Sequence, residues 1–243
     1  MPFTLIQISD CHLAADPATD YRGINADATL QSLLPAVRAL APDAVVLSGD
    51  VSEDASAESY ARAVNYFEGL APRVAWLPGN HDRRETMAQA FEPAGFRAGP
   101  VEHWGGWQIV LLDSSVPDRP EGTLDPQRLA PLDDLDSERP ALVFIHHQPV
   151  PVGAPWIDKY ALREPERLWE KLDARVVRAV AFGHVHQVRS GEKNAIAWLS
   201  APATSANSQL ETERFTLDPT GPKARWFRLE PDGGWTTGIL GAG

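Results

Sequence analysis

Five apolar runs in this 243-residue chain each break off in side chains that bind metals, and that recurrence sharply limits the folds it can adopt. Phe3-Thr4-Leu5-Ile6-Gln7-Ile8 leads into Asp10-Cys11-His12, Ala44 to Ser48 into Gly49-Asp50, and Val74 to Leu77 into Gly79-Asn80-His81-Asp82. Farther along, Ala141 to Ile145 meets His146-His147, and Val176 to Phe182 meets Gly183-His184-Val185-His186. Each run has the length and apolar character of a buried strand. Five strand ends therefore deliver oxygen and nitrogen ligands, and the fold must be one that gathers strand ends.

Between the runs the periodicity is helical. Asp27 to Leu40 carries Leu30, Leu33, Leu34, Val37 and Leu40 at helical spacing, and Ser56 to Leu70 and Glu85 to Phe91 read as two more helices. The opening is thus β-α-β-α-β, which implies parallel pairing. After Gly99-Pro100 the pattern turns to short strands, Val101 to Trp104 and Trp107 to Leu112, joined by a Gly105-Gly106 hairpin turn. Pro117 to Pro131 reads as a loop, followed by a short acidic helix near Asp133; residues 148 to 160 read as a second loop, and Glu164 to Leu172 as a helix. Ala195 to Ser200, Arg214 to Leu217, Ala224 to Leu229 and Trp235 to Ile239 are expected to be consecutive antiparallel strands. With neither an internal repeat nor a linker, residues 1–243 read as a single α/β domain, its C-terminal strands forming the edge of one of two packed sheets.

Bulk properties narrow the partners. The chain is 43% hydrophobic and 23% charged, ordinary for a globular protein, and carries a net charge of -11. That charge argues against a nucleic acid polymer or an anionic membrane surface, so an anionic substrate would need bound metal for its attraction. No apolar stretch approaches the roughly 18 residues of a membrane span. A single cysteine, Cys11, excludes an intrachain disulfide, and the N-terminus enters a strand without a secretory signal pattern, so a cytoplasmic location is expected.

Asp10 and His12 lie two apart on what reads as extended chain, so both leave one face while Cys11 points into the core. Asp50, at the end of a buried run, needs a partner to offset its desolvation, and its two oxygens can bridge two cations. Asn80 offers a neutral amide oxygen. His81, one residue on, is placed near the metals without binding them, where a general acid belongs. Asp82 either caps the next helix or orients His81. Of the adjacent pair, His146 is the expected ligand and His147 a supporting residue. His184 and His186 share a face; His103, in a separate strand, is assigned no role. The set is two carboxylates, one amide and four imidazoles, which suits a two-metal site and excludes a thiolate zinc site.

The ordered series Asp10-x-His12, Gly49-Asp50, Gly79-Asn80-His81-Asp82, His146 and Gly183-His184-x-His186 resembles the calcineurin-like metallophosphoesterase superfamily. His146-His147-Gln148-Pro149, Gly153-Ala154-Pro155-Trp156-Ile157-Asp158, Gly23-Ile24-Asn25 and the Asp232-Gly233 turn are similar to bacterial class III cyclic nucleotide phosphodiesterases of the CpdA type. The resemblance implies a four-layer α/β/β/α sandwich of two mixed sheets flanked by helices. It also implies two transition metal ions, divalent or mixed-valence iron, manganese or zinc. Asp10, His12, Asp50 and His186 would hold one ion and Asp50, Asn80, His146 and His184 the other. It further implies catalytic roles for His81 and Asn80, and substrate contacts from Asn80, His81 and His186. The reaction implied is hydrolysis of a small 3′,5′-cyclic nucleotide, cAMP to 5′-AMP, by in-line attack of a metal-bridging hydroxide with His81 as general acid.

The alternatives are glycerophosphodiesters, nucleotides, phosphomonoesters or phosphoproteins as substrates, or a protein-binding scaffold, which would be expected to have lost ligands. Related lipid A pathway hydrolases tend to carry arginine at the position of His81, so the histidine here argues against that branch. Trp156 is open between stacking on a nucleobase and packing its loop down, and Asn25 between substrate contact and capping a helix, capping being favoured. The chain is read as a monomer or homodimer.

Overall fold

A computed structural model describes residues 2–242. The opening alternates β1 (Phe3–Ile8), the two-residue strands β2 (Asp20–Tyr21) and β3 (Ile24–Asn25), α1 (Ala26–Ala39), β4 (Ala44–Ser48), α2 (Ala57–Phe67), β5 (Val74–Leu77) and α3 (Arg84–Phe91). It continues through β6 (Val101–Trp104), β7 (Trp107–Leu112), α4 (Pro126–Leu129), β8 (Ala141–Ile145), α5 (Pro155–Asp158), α6 (Glu166–Lys171) and β9 (Val177–Phe182). The chain closes with β10 (Ser190–Lys193), β11 (Ile196–Ser200), β12 (Lys223–Leu229) and β13 (Trp235–Gly241).

Two mixed sheets result, in the orders β13-β12-β1-β4-β5 and β10-β11-β9-β8-β7-β6. Strands β1, β4 and β5 run parallel, as do β7, β8, β9 and β11. Alternation along each strand sorts the side chains into three cores. Ile6, Ile8, Val45, Leu47, Val74 and Trp76 face Leu30, Leu33, Val37, Tyr60, Phe67 and Phe91 of α1 to α3. Leu5, Val46, Ala75 and Leu77 face the second sheet through Trp107, Ile109, Leu142, Phe144 and Ala179. Val110, Val143, Ile145, Val180 and Phe182 pack under Leu129, Ile157, Leu168 and Trp169. Both faces of both sheets are covered, which is why the strands read as unbroken apolar runs, and the layering is α/β/β/α. Arg225 of β12 joins the sheets, its buried guanidinium donating to Ser200 O at the end of β11.

Three expectations are corrected. Arg214 to Leu217 forms no strand; an isolated bridge, Ser208 to Leu217, and a hydrogen bond from Gln209 N to Thr216 O hold that segment. The C-terminal strands are not one antiparallel series, because β11 joins the second sheet parallel to β9 while β12 and β13 return to the first beside β1. The two proline-rich stretches read as loops each contain a one-turn helix, α4 and α5, begun by Pro126 and Pro155. Asn25 caps α1, accepting from Ala28 N at 2.7 Å, as the sequence favoured.

Candidate metal centre

Strands β1, β4 and β5 of one sheet and β8 and β9 of the other end toward the same crevice, where ligands gather in parallel α/β sheets. The expected extended geometry of Asp10-x-His12 is not what brings these residues there. Asp10, His12, Asp50, His184 and His186 all have left-handed backbone, with φ of 56, 49, 50, 68 and 51°. Such φ values are unfavourable for side chains with a Cβ, and five at one site mark a strained constellation held by its surroundings. Hydrogen bonds from Asp10 N to Gly49 O and His12 N to Asp50 O, both 3.0 Å, zip the first two loops together. Cys11 between them is buried in the helix-side core, as expected.

Two glycines permit the approach. A Cβ at Gly79 would lie 2.1 Å from Asp50 Oδ1, and one at Gly49 would lie 2.3 Å from His146 Nδ1. Asp82 neither caps α3 nor touches His81. Its carboxylate accepts from Gly79 N at 2.9 Å, Ser52 N at 3.0 Å and Tyr60 OH at 3.0 Å, clamping the Asn80 loop to the Asp50 loop.

The ring nitrogens and carboxylate oxygens fall into overlapping groups: Asp10, His12 and His186; Asp10, Asp50 and His146; His146, His147 and His184. His186 Nε2 lies 3.2 Å from Asp10 Oδ1, and His146 Nε2 lies 3.2 Å from Asp50 Oδ2. Backbone N–H groups fix the carboxylates, His81 N donating to Asp50 Oδ1 at 2.9 Å and His184 N to Asp10 at 3.1 Å. Asn80 sits between Gly79 and His81 with its Oδ1 buried and without a partner.

The family model for the calcineurin-like phosphoesterases matches residues 3–188. The chain belongs to the calcineurin-like phosphoesterase family. It is similar to the 3′,5′-cyclic adenosine monophosphate phosphodiesterase CpdA of Pseudomonas aeruginosa, 36% identical over 97% of this chain and 88% of that one. A 3′,5′-cyclic-nucleotide phosphodiesterase of Nostoc sp. is 32% identical over 98% of this chain and 92% of that one. Among solved structures, a dimetal phosphatase from Danio rerio shares the fold over 100% of both chains, with a TM-score of 0.68 and 13% identity.

Calcineurin-like phosphoesterases use a dinuclear metal centre, and the donor set here fits one. His12 Nδ1 lies 2.7 Å from Glu53 Oε2, His186 Nδ1 2.7 Å from Ala206 O, and His146 Nδ1 2.9 Å from Ser48 O. Carboxylate and carbonyl oxygens only accept, so each Nδ1 carries a hydrogen and each ring turns its Nε2 into the crevice, where the atom offers a lone pair to a cation once it has shed any proton. Buried lone pairs aimed at one another and at carboxylates call for a cation.

The electrostatics of this phosphoesterase agree. Burial by itself would raise the Asp50 carboxyl, but His146 beside it holds it well below the usual carboxylate range. Burial likewise opposes His146, yet Asp50 lifts it to about 9. Burial pushes His12 down against the pull of Glu53, and burial with neighbouring imidazoles drives His184 well below its usual value and His147 to about 3. His81 is the exception: burial draws it down, but Asp50 and Glu53 more than offset that and raise it. Its side chain is 36% exposed, against 1% for His12 and 0% for His146.

Two residues here, Glu53 and Tyr21, escaped sequence reasoning, and a third, His147, was only partly anticipated. Glu53 accepts from His12 Nδ1 and lies 3.2 Å from His81 Nδ1; its place three residues after Asp50, in the same loop, was the available signal. Tyr21 stacks flat on His12, ring centres 4.2 Å apart at 12°, from a two-residue strand too short to leave a periodic signal. His147 packs as a supporting residue with Ser114 Oγ 2.8 Å from its Nδ1, but its ring also turns toward His146 and His184, which alternation along a strand does not anticipate. His103 lies exposed on β6, outside these groups.

Proposed function

We propose that this phosphoesterase hydrolyses 3′,5′-cyclic nucleotides, cAMP giving 5′-AMP. The observation that carries the reading is His81, half-exposed at the mouth of an otherwise buried cluster, hydrogen-bonded through its backbone to Asp50. Near-full-length similarity to proteins named for cyclic nucleotide hydrolysis supports it.

In this reading Asp10, His12, Asp50 and His186 would hold one metal ion and Asp50, Asn80, His146 and His184 the other. Iron, manganese or zinc suits this mixed oxygen and nitrogen set. Bound metal supplies Lewis-acid activation of the phosphoryl group and of the water that attacks it. The backbone carbonyls and Glu53 orient the imidazoles so that none must reorganise during turnover. Asn80 would contact the phosphodiester, and His81 approaches it from the mouth of the crevice. Glu53 engages His81 Nδ1, which leaves Nε2 to donate a proton to the departing ribose O3′. A sugar alkoxide is a poor leaving group, so this donor contributes on the order of 10² to 10⁴ in rate.

In the same reading the chain is one catalytic domain, which its contiguous cores support, acting on a small molecule as a cytoplasmic monomer or homodimer. Among the described residues no helix is long and apolar enough to cross a membrane. The discriminating test is a substrate panel with metal-loaded protein: 3′,5′-cAMP, 3′,5′-cGMP, a 2′,3′-cyclic nucleotide, a glycerophosphodiester and a phosphomonoester. A preference for 3′,5′-cyclic nucleotides is expected; a clear preference for the monoester or the glycerophosphodiester contradicts the assignment.

A further inference from the structure

Gly23-Ile24-Asn25 and Trp156, singled out in the sequence, are not part of the ligand set, yet the residues beside them meet at one edge of the centre. Tyr21 and Arg22 belong to the β2–β3 hairpin, and Arg22 occupies its tip with φ 53°, followed by Gly23 at 87°. Tyr21, buried, lies flat on His12. Arg22 Nε donates to Tyr21 OH at 3.1 Å, and the guanidinium carbon stands 4.3 Å over the centre of the Phe215 ring. Phe215 is wedged edge-on against Trp156, ring centres 5.4 Å apart at 87°, and against His186, 6.3 Å apart at 86°. Trp156 thus buttresses Phe215.

The guanidinium is therefore held in place, by an aromatic ring against its carbon and by a phenol at its Nε. Its terminal nitrogens make neither a hydrogen bond nor an ion pair among the described residues, although the chain has 33 acidic residues to 22 basic ones. Arg22 is exposed, so its outer face is open. Its position fits one part of a nucleotide. The phosphoryl group must sit among the ligand nitrogens, whereas Arg22 is separated from them by one layer of aromatic rings, Tyr21 on His12 and Phe215 6.3 Å from His186, a remove that suits a base joined to the phosphate through a ribose. Guanidinium planes stack on heteroaromatic rings, and their N–H edges meet ring acceptors.

We propose that Arg22, backed by Phe215 and Trp156, is the stacking platform for the nucleobase of the substrate. This rests on the cyclic-nucleotide reading above. The test compares kcat/KM for cAMP with that for methyl ribofuranoside 3′,5′-cyclic phosphate, the same cyclic phosphate without a base, using protein of equal metal content. Arg22→Asn suits the left-handed turn, so the hairpin is retained. It is expected to lower the ratio of the two kcat/KM values about tenfold, mainly through KM. Phe215→Leu, which removes the ring beneath Arg22, is expected to lower the ratio in the same direction. Equal losses on both substrates mean that Arg22 holds the phosphate and overturn the platform, as do an unchanged ratio or a wild-type ratio of one. Wild-type protein that hydrolyses neither compound overturns the functional reading, and the platform falls with it.

Discussion

His12 and His186 point their Nε2 atoms at each other across 3.2 Å, while the Nδ1 of each is engaged by an acceptor, Glu53 or Ala206 O. With both Nε2 atoms deprotonated, as metal binding requires, the two lone pairs face each other and repel unless a cation lies between them and the nearby Asp10. Hydrogen bonds on their far sides tie both rings in place, so a cation held between them would satisfy both Nε2 atoms.

Metal binding should therefore stabilise the fold as well as enable catalysis. At a free metal concentration 100 times its dissociation constant the gain is about 2.7 kcal/mol, a shift of several degrees in Tm. Differential scanning fluorimetry of chelator-stripped protein, with and without Mn²⁺ or Zn²⁺, measures it. A Tm indifferent to metal contradicts the picture of opposed ligands.

Replacing His81 separates proton donation from metal binding. His81→Ala is expected to retain both ions by elemental analysis yet lose on the order of 10² to 10⁴ in kcat on cAMP. On bis(4-nitrophenyl) phosphate, whose leaving group needs no proton, the loss should be far smaller. Equal losses on the two substrates would remove His81 from the role of acid.

Gly79→Ala tests the close packing of the loops. Its Cβ would stand 2.1 Å from Asp50 Oδ1 and 2.4 Å from Asp50 N, so the carboxylate or the Asn80 loop must move. Because a misplacement of about 1 Å costs on the order of 10²-fold, activity should fall at least that far while far-UV circular dichroism is unchanged. Wild-type activity in this variant would show that Asp50 does not need its present position.

If His12 holds a metal ion, Glu53 acts on that ion through its contact with His12 Nδ1. Its removal in Glu53→Ala frees His12 Nδ1 and should weaken one ion by about 10 to 100-fold. Competition against a chromophoric chelator reads this directly, one site weakening and the other not. Equal weakening at both sites would assign Glu53 a general structural role instead.

Much of this was legible in the chain because burial on both faces writes β1, β4, β5, β8 and β9 as plain apolar runs, and their ends carry the donors. What stayed hidden depends on tertiary contact. Strand β10, Ser-Gly-Glu-Lys, is an exposed edge strand with no apolar alternation to announce it. The sheet to which β11 belongs is set by pairing with β9, more than a dozen residues earlier, which local pattern cannot encode. At the centre itself residue types were readable but backbone was not: the left-handed φ of Asp10 and His12 is imposed by the Gly49–Val51 loop alongside. Tyr21 and Glu53 act through tertiary contacts, Tyr21 on His12 and Arg22 and Glu53 on His12 and His81, which no hydrophobic period announces.

The central claim is that this centre opens a 3′,5′-cyclic phosphodiester. The most direct measurement is chromatography of the products formed from 3′,5′-cAMP by metal-loaded protein, alongside an Asp50→Asn variant and a chelator-treated sample. The account predicts 5′-AMP as the product, with turnover lost in both controls. Intact cAMP with the loaded protein, or 5′-AMP formed equally well by the Asp50→Asn variant, would contradict it.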